Sequence, residues 1–265
     1  MPDAIPTPLD ILLDPISLIV IALYGGLMLW ETLAPARPLP RVAGWHLKGI
    51  TAFAGYFFLS SYLPLFTDGF LAEHRLVDLS GLPLAAQIGL ALLVYELGAY
   101  AYHRAMHERR GLWLASHQMH HSAERLDVAG AFWFSPVDMV GWTLVGSLTL
   151  VGAVGIGPEA ATAVLLALTF LGIFQHANVR TPRWLGVIVQ RPESHALHHA
   201  RGVHAKNFAD LPLVDMLFGT FENPEGFAPD QGFYEGASSR VLEMLAFQDV
   251  SEPRPDAELQ RPSWA

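Results

Sequence analysis

The chain has 265 residues, 52% of them hydrophobic and 15% charged, with a formal net charge of -9. A composition this apolar, with mean hydropathy +0.31, excludes an ordinary soluble domain and makes membrane embedding the first expectation. The absence of cysteine excludes a disulfide framework and any thiolate-held zinc or iron–sulfur site, and the acidic balance leaves no basic stripe for nucleic acid.

The apolar start lacks a basic n-region, so no cleavable signal peptide is expected. Runs long enough, or nearly so, to cross a hydrocarbon core that needs about 20 helical residues lie at Ile16–Thr32, Ile50–Phe66 and Leu84–Tyr102. The third carries a single acidic residue, Glu96. A further pair, Val137–Ile156 and Ala160–Phe174, is split by Gly155-Ile-Gly-Pro158 and predicts a helical hairpin that crosses and returns or is partly re-entrant. The expected fold is therefore an all-α integral membrane protein of about four to five transmembrane or re-entrant helices. Residues 1–83 form its N-terminal transmembrane helices, 84–221 a catalytic region with the hairpin at about 137–174, and 222–265 a C-terminal tail with one short helix at Ser239–Phe247.

Loop charge gives an orientation. Asp3, Asp10 and Asp14 precede the first span, and Arg37, Arg41 and Lys48 follow it; the third span arrives at Arg104, Arg109 and Arg110, and the hairpin returns to Arg180, Arg183 and Arg191. By the positive-inside bias all three basic clusters face the cytoplasm, on the inner membrane if the source is bacterial.

Three histidine strings fall beside those clusters: His103-Arg-Ala-Met-His107, His117-Gln-Met-His120-His121 and His195-Ala-Leu-His198-His199. They hold eight of the twelve histidines, and neutral imidazole is the commonest side-chain ligand of a catalytic metal. Residues three and four apart share a helix face, so each string is expected to converge on one ion. Chance decoration of juxtamembrane helices would rarely repeat that spacing.

Other positions carry weaker expectations. Glu96 lies two turns before His103 on the same face, and an ionisable residue inside a span is functional by default, here as a group orienting a ligand histidine or, less simply, as a ligand, against the plain alternative of a carboxylate paired with a tyrosine or arginine to fix helix packing. Asp127, Asp138 and Asp215 are similar candidates, for which an ordinary cap or salt bridge is the simpler reading. Arg104 would meet an anionic lipid head or, more simply, anchor to the cytoplasmic leaflet. His46, in a loop, and His74, beside Arg75, lack partners at ligand spacing and read as surface residues. Trp45, Trp113, Trp133, Trp142 and Trp184 sit near span ends as expected belt residues, and Ala131-Phe-Trp-Phe134 reads as core or as the wall of a lipid access groove.

Together these strings resemble the fatty acid hydroxylase and sterol desaturase superfamily of integral-membrane, histidine-rich oxygenases. Phe174-Gln-His176-Ala-Asn178-Val179 is similar to that family's lone histidine segment after the hairpin, and Asn207-Phe208 through Leu213-Val214-Asp215-Met216-Leu217-Phe218-Gly219-Thr220-Phe221 to its C-terminal signature, so the resemblance runs from about Tyr95 to Phe221. It implies two non-heme iron ions held almost wholly by histidine, which activate dioxygen and insert oxygen into, or remove hydrogen from, a lipid C–H bond. The implied ligands are His103, His107, His117, His120, His121, His176, His195, His198 and His199. Ceramide-type members use a histidine pair where this chain has His176, with Gly172 one turn earlier, so one ligand is missing there. Water, Asn178 or His204 would complete the sphere, and in this respect the chain is closer to the alkylglycerol monooxygenase branch and its bacterial relatives.

The expected function is a membrane-bound, dioxygen-dependent lipid hydroxylase or desaturase. No GxGxxG fingerprint is present, so electrons would come from a separate ferredoxin, cytochrome or reductase. A zinc-dependent membrane hydrolase would want a general base within the first string, where Arg104 stands instead. A metal transporter would place ligands near the bilayer midplane rather than at span ends.

Overall fold

The computed structural model describes residues 5–254; Asp3 of the acidic N-terminal cluster lies outside them. The chain is helical throughout its described length apart from loops and one two-residue strand pair. Thr7 and Asp10 form a capping box that starts α1 (Pro8–Leu13). Asp14 then caps α2 (Pro15–Leu33), with Pro15 in its first turn. A long apolar run follows as α3 (Trp45–Tyr62) and α4 (Pro64–Glu73), interrupted at Pro64 because proline cannot donate back to the preceding turn. After β1 (Val77–Asp78), α5 (Leu84–Glu108) carries the first histidine string on its last two turns.

Four helical stretches are long and apolar enough to cross a membrane: Pro15–Leu33, Trp45–Glu73, Leu84–Glu108 and Pro136–Ala153. Their outward faces fit that role. On α5, Leu90, Leu93 and Leu97 are exposed, whereas Ala91, Glu96, Ala99, Tyr100 and His103 are buried. In a lipid solvent the apolar side faces out and the polar groups face inward. The protein is accordingly an all-α integral membrane protein.

The cap follows α5 as a nearly continuous helical stretch: α6 (Arg110–Leu112), a π turn over Trp113–His117 and α7 (Gln118–His121). The membrane hairpin comprises α8 (Pro136–Ser147), a second π turn at Leu148–Ala153, β2 (Val154–Gly155) and α9 (Pro158–Phe174). The first arm ends earlier than its sequence predicts because Val154 and Gly155 turn extended and pair in parallel with Val77 and Asp78. Three short helices complete the fold: α10 (Pro192–His198), α11 (Pro212–Phe218) and α12 (Val241–Leu245).

Glu31 ties the hairpin to α2. Its buried carboxylate accepts the backbone N–H of Val128 at 3.0 Å and of Asn178 at 2.9 Å, residues that precede and follow the hairpin. Beside it the loop at 127–134 wedges between α2 and α3, where Tyr24 stacks on Phe53 at 4.1 Å and Phe132 packs against both.

Several expectations change here. The second span begins at Trp45, not Ile50, because Gly44 adopts a left-handed conformation (φ 67°) that opens α3; His46 therefore sits on a helix, exposed, rather than in a loop. Trp45 and Trp133 are core residues, not belt residues: Trp45 is 1% exposed and donates its Nε1–H to Asp127 Oδ1 at 2.8 Å. Asp127 itself is a cap, accepting from Gly130 N–H. The segment at 222–254 is packed rather than a loose tail, and residues 255–265 of the expected tail lie outside the described residues. Phe233, Ala237, Met244 and Val250 share a core with Met119 and Trp133, and Ser238 donates to Glu124.

Gly49 permits the close approach of α3 to this loop, since a Cβ there would fall on the Ala129 carbonyl. Helix propensity alone would make Gly49→Ala stabilising by about 1 kcal/mol. Overpacking reverses the sign, and a net loss of about 1–3 kcal/mol is expected, read as a lower melting temperature in detergent. A higher one would show that the contact relaxes freely.

Candidate metal centre

The nine histidines expected as ligands gather in two adjoining sets. His103, His107, His117, His121 and His198 form one, and His120, His176, His195 and His199 the other; within each set the ligand nitrogens all lie within 4.8 Å of one another. Helical geometry explains the partition and corrects the expectation that each string serves one ion. Residues i and i+4 differ by about 40° around the axis, whereas i+3 and i+4 differ by about 100°. So His117 stays with His121 and His195 with His199, while His120 and His198 cross to the neighbouring set. Each HxxHH string thereby bridges both sets. The π turn at Trp113–His117, an insertion that re-aims side chains, carries His117 into line with His103.

Backbone carbonyls and one carboxylate fix the rings. The Nδ1–H groups of His103, His176 and His198 donate to the carbonyls of Phe208, Gly172 and Lys206, each at 2.7 Å. His117 Nδ1 donates to Asp138 Oδ2 at 2.9 Å. A carbonyl can only accept, so neutral His103, His176 and His198 carry their proton on Nδ1 and turn a bare Nε2 lone pair inward. Yet His103 Nε2 and His117 Nε2 stand 3.0 Å apart. With the His117 proton on Nδ1 toward Asp138, two lone pairs face each other at that distance, an arrangement that a cation between the rings makes favourable. In the second set His176 Nε2 lies 3.1 Å from His120 Nε2 and 3.0 Å from His195 Nε2, and His199 Nε2 is 3.1 Å from His195 Nε2. The donor set, all nitrogen and two sets deep, fits two borderline transition-metal ions.

Burial keeps the rings in the ligating form. It pushes the imidazolium pKa of His117, His120, His121, His195, His198 and His199 well below the ordinary range, and the neighbouring imidazoles add to that depression. His176 falls to about 4 for the same principal reason. Neutral imidazole is what a metal requires.

The remaining candidates occupy other places. Glu96 reaches no histidine; its Oε2 accepts Leu211 N–H at 3.1 Å. Asp215 accepts the N–H groups of Phe208 and Ala209 at 2.8 and 2.9 Å and the Thr220 hydroxyl. Both carboxylates therefore hold the loop whose Phe208 carbonyl orients His103, one step behind the ligand. Asn178 donates to the Arg37 carbonyl at 2.7 Å instead of turning toward His176. His204 lies outside both sets, with its Nδ1 3.0 Å from His121 Nδ1. Arg104 is paired with Glu108 at 2.6 Å and with the Tyr100 hydroxyl. Gly172 supplies the carbonyl that orients His176, and its own set counts four histidines against five in the other.

Two residues stand closer to the rings than the simpler reading of the sequence has them. Asp138, a candidate for orienting a ligand histidine for which a cap was the simpler reading, takes the orienting role: its Oδ2 is the carboxylate partner of a histidine 21 positions away. Trp113, taken for a belt residue, packs its ring 5.2 and 5.3 Å from His107 and His121.

A cavity of about 640 Å³ opens onto both sets, touching His103 and His117 of one and His120, His176 and His195 of the other. Phe53, Phe57, Phe132, Phe134, Leu150 and Leu168 are among its apolar walls. Phe132 and Phe134 thus serve both as core and as cavity wall, and Phe134 packs 4.8 Å from His120.

Residues 88–220 match the sequence pattern of the family described as fatty acid hydroxylase, a stretch that includes all nine histidines. An ornithine lipid hydroxylase of Rhizobium tropici is 36% identical over 150 residues, covering 54% of this chain and 44% of the relative. The alkylglycerol monooxygenases of Danio rerio and Homo sapiens are each 33% identical over 138 residues, covering 50% of this chain and 30% of the relative. The matched stretch spans less than half the length of these relatives. No solved structure matches the chain.

Proposed function

Because the chain belongs to the fatty acid hydroxylase family, we propose that it is a membrane-bound lipid oxygenase with two non-heme iron ions, one in each histidine set. The observation that carries this reading is the pair of convergent histidine sets at the end of an apolar cavity. Similarity to an ornithine lipid hydroxylase and to alkylglycerol monooxygenases supports a lipid as substrate. Bound irons would supply the reduction of dioxygen and the oxidising power to cleave an unactivated C–H bond, which acid–base side chains cannot do.

The protein's own residues position and exclude. The cavity walls hold an apolar chain against the face shared by His103, His117, His120, His176 and His195. Carbonyls of Phe208, Gly172 and Lys206 and the Asp138 carboxylate keep each Nε2 aimed inward. The segment at 231–250 closes the cap from outside: Gln118 donates to the Gln248 carbonyl at 2.9 Å, and Phe233 packs near Trp113. Excluding water there protects a strongly oxidising centre from side reactions. The cap faces the cytoplasm in this reading, where a ferredoxin, cytochrome or reductase delivers electrons. Residues 84–221 are the catalytic region and 1–83 its membrane scaffold.

The test is mass spectrometry of total lipids from cells with and without the active gene, repeated under isotopically labelled dioxygen. A labelled hydroxyl product is expected. A double bond without label assigns the desaturase form of the same chemistry, and a lipid profile indifferent to both gene and dioxygen contradicts the proposal.

A further inference from the structure

The cavity is apolar along most of its length, but at the histidine end it carries one carboxylate, Asp210. Phe208, two positions earlier, holds His103 through its carbonyl. Gln175, adjacent to His176, donates its amide to Asp210 Oδ1 at 2.7 Å, and Gln190 N–H binds the Asp210 carbonyl at 2.8 Å. Side chain and backbone are thus both fixed. Asp210 is only partly buried although protein surrounds it, because its accessible surface is cavity wall.

No cationic side chain answers this carboxylate. Among the described residues no Lys, Arg or His forms an ion pair with Asp210. Its charged neighbours are acids, since Asp215 raises its pKa and Asp210 in turn acts on Glu96. Burial is the main cause of that rise, to about 6. Glu96 is fully buried with Oε1 unpartnered. Holding a carboxylate charged in an apolar wall without a side-chain counter-charge is costly, and a ligand that brings a cation recovers that cost. A hard divalent ion does not suit the place, for it would need several more oxygen ligands than Asp210 and Gln175 offer.

We propose that the cavity takes a lipid whose polar head carries an ammonium group, and that Asp210, held by Gln175, receives that group beside the four-histidine set. The assignment rests on reading the cavity as the lipid site of the oxygenase. It has a chemical consequence: carbons nearest the head lie beside His176 and His195, and the tail extends away along α9. From His176 back to Ala161, which also lines the cavity, the wall is about 22 Å long at 1.5 Å per residue. The opposite end holds Asp68 and Arg75, but Arg75 is exposed and already paired with Asp78 at 3.4 Å. Oxidation is therefore directed toward the head rather than toward the chain end.

The test measures binding of a long-chain alkylamine and of its N-acetyl derivative to the purified full chain in detergent, by native mass spectrometry or thermal shift. The wild-type protein should prefer the amine by about tenfold or more, equivalent to about 1.4 kcal/mol. Asp210→Asn, which keeps an acceptor for Gln175, should abolish the preference, and Asp210→Glu should retain it. Asp68→Asn, at the far end, should leave it unchanged. Equal binding of both probes by the wild type, an Asp210→Asn variant that still prefers the amine, or loss of preference in Asp68→Asn alone would each overturn the assignment. Binding needs neither turnover nor metal, so a protein that keeps its amine preference but takes up no iron after iron-replete expression would count against the oxygenase reading alone.

Discussion

His120→Ala is expected to abolish lipid oxidation and to lower bound iron, with the four-histidine set losing its ion first. His120 stands 3.1 Å from His176 Nε2 within a set that has one histidine fewer than its neighbour. Removing it leaves three nitrogens, whereas removing His107 from the other set leaves four. Metal affinity falls with each ligand lost, so retained iron should fall to about half in His120→Ala and fall less in His107→Ala. Activity should fall at least about a hundredfold in His120→Ala, because chemistry that uses both ions does not survive on one. Elemental analysis beside a lipid turnover assay gives both quantities. Full turnover with unchanged metal would remove His120 from the centre.

Asp138→Ala carries the second large effect, although Asp138 belongs to neither histidine set. The variant leaves His117 Nδ1–H without its acceptor in a buried place, which costs about 1–3 kcal/mol. It also frees the ring to turn away from His103. Loss of such an outer carboxylate typically costs about 10- to 100-fold in metal affinity. Asp138→Asn separates the two contributions: its amide oxygen still accepts from Nδ1 and orients the ring, but the negative charge that strengthens the ligand is gone. An intermediate affinity, measured by iron titration against a chelator, is expected. If the alanine variant binds iron as the wild type does, Asp138 is a packing residue only.

What could be read from the sequence was local in character. The spans follow from apolar run length, and four of the five expected segments match helices long enough to cross a membrane. Eight of the nine histidines follow from repeated i, i+3 and i+4 spacing, the ninth, His176, only from the family resemblance, and all nine gather in the two sets. What escaped depends on contacts between residues distant in the chain. The crossing of His120 and His198 into neighbouring sets requires knowing where α7 and α10 face each other. Glu96 sits at ligand-like spacing from His103, yet its partner is Leu211, 115 positions away. Trp45 has the composition of a belt residue, and only its bond to Asp127, 82 positions on, makes it core. The C-terminal segment offered no dense pattern, because Phe233, Ala237 and Met244 cover the cap from separate short turns rather than along one helix face.

The central claim is that the two histidine sets are two iron sites. It is tested most directly by counting metals in the purified protein, by elemental analysis after iron-replete expression and removal of loosely held ions. Two irons per chain, both lost when ligands from the two sets are removed together, are the result predicted. A single zinc per chain, or a mixture of metals that exchanges freely with the buffer, would contradict it.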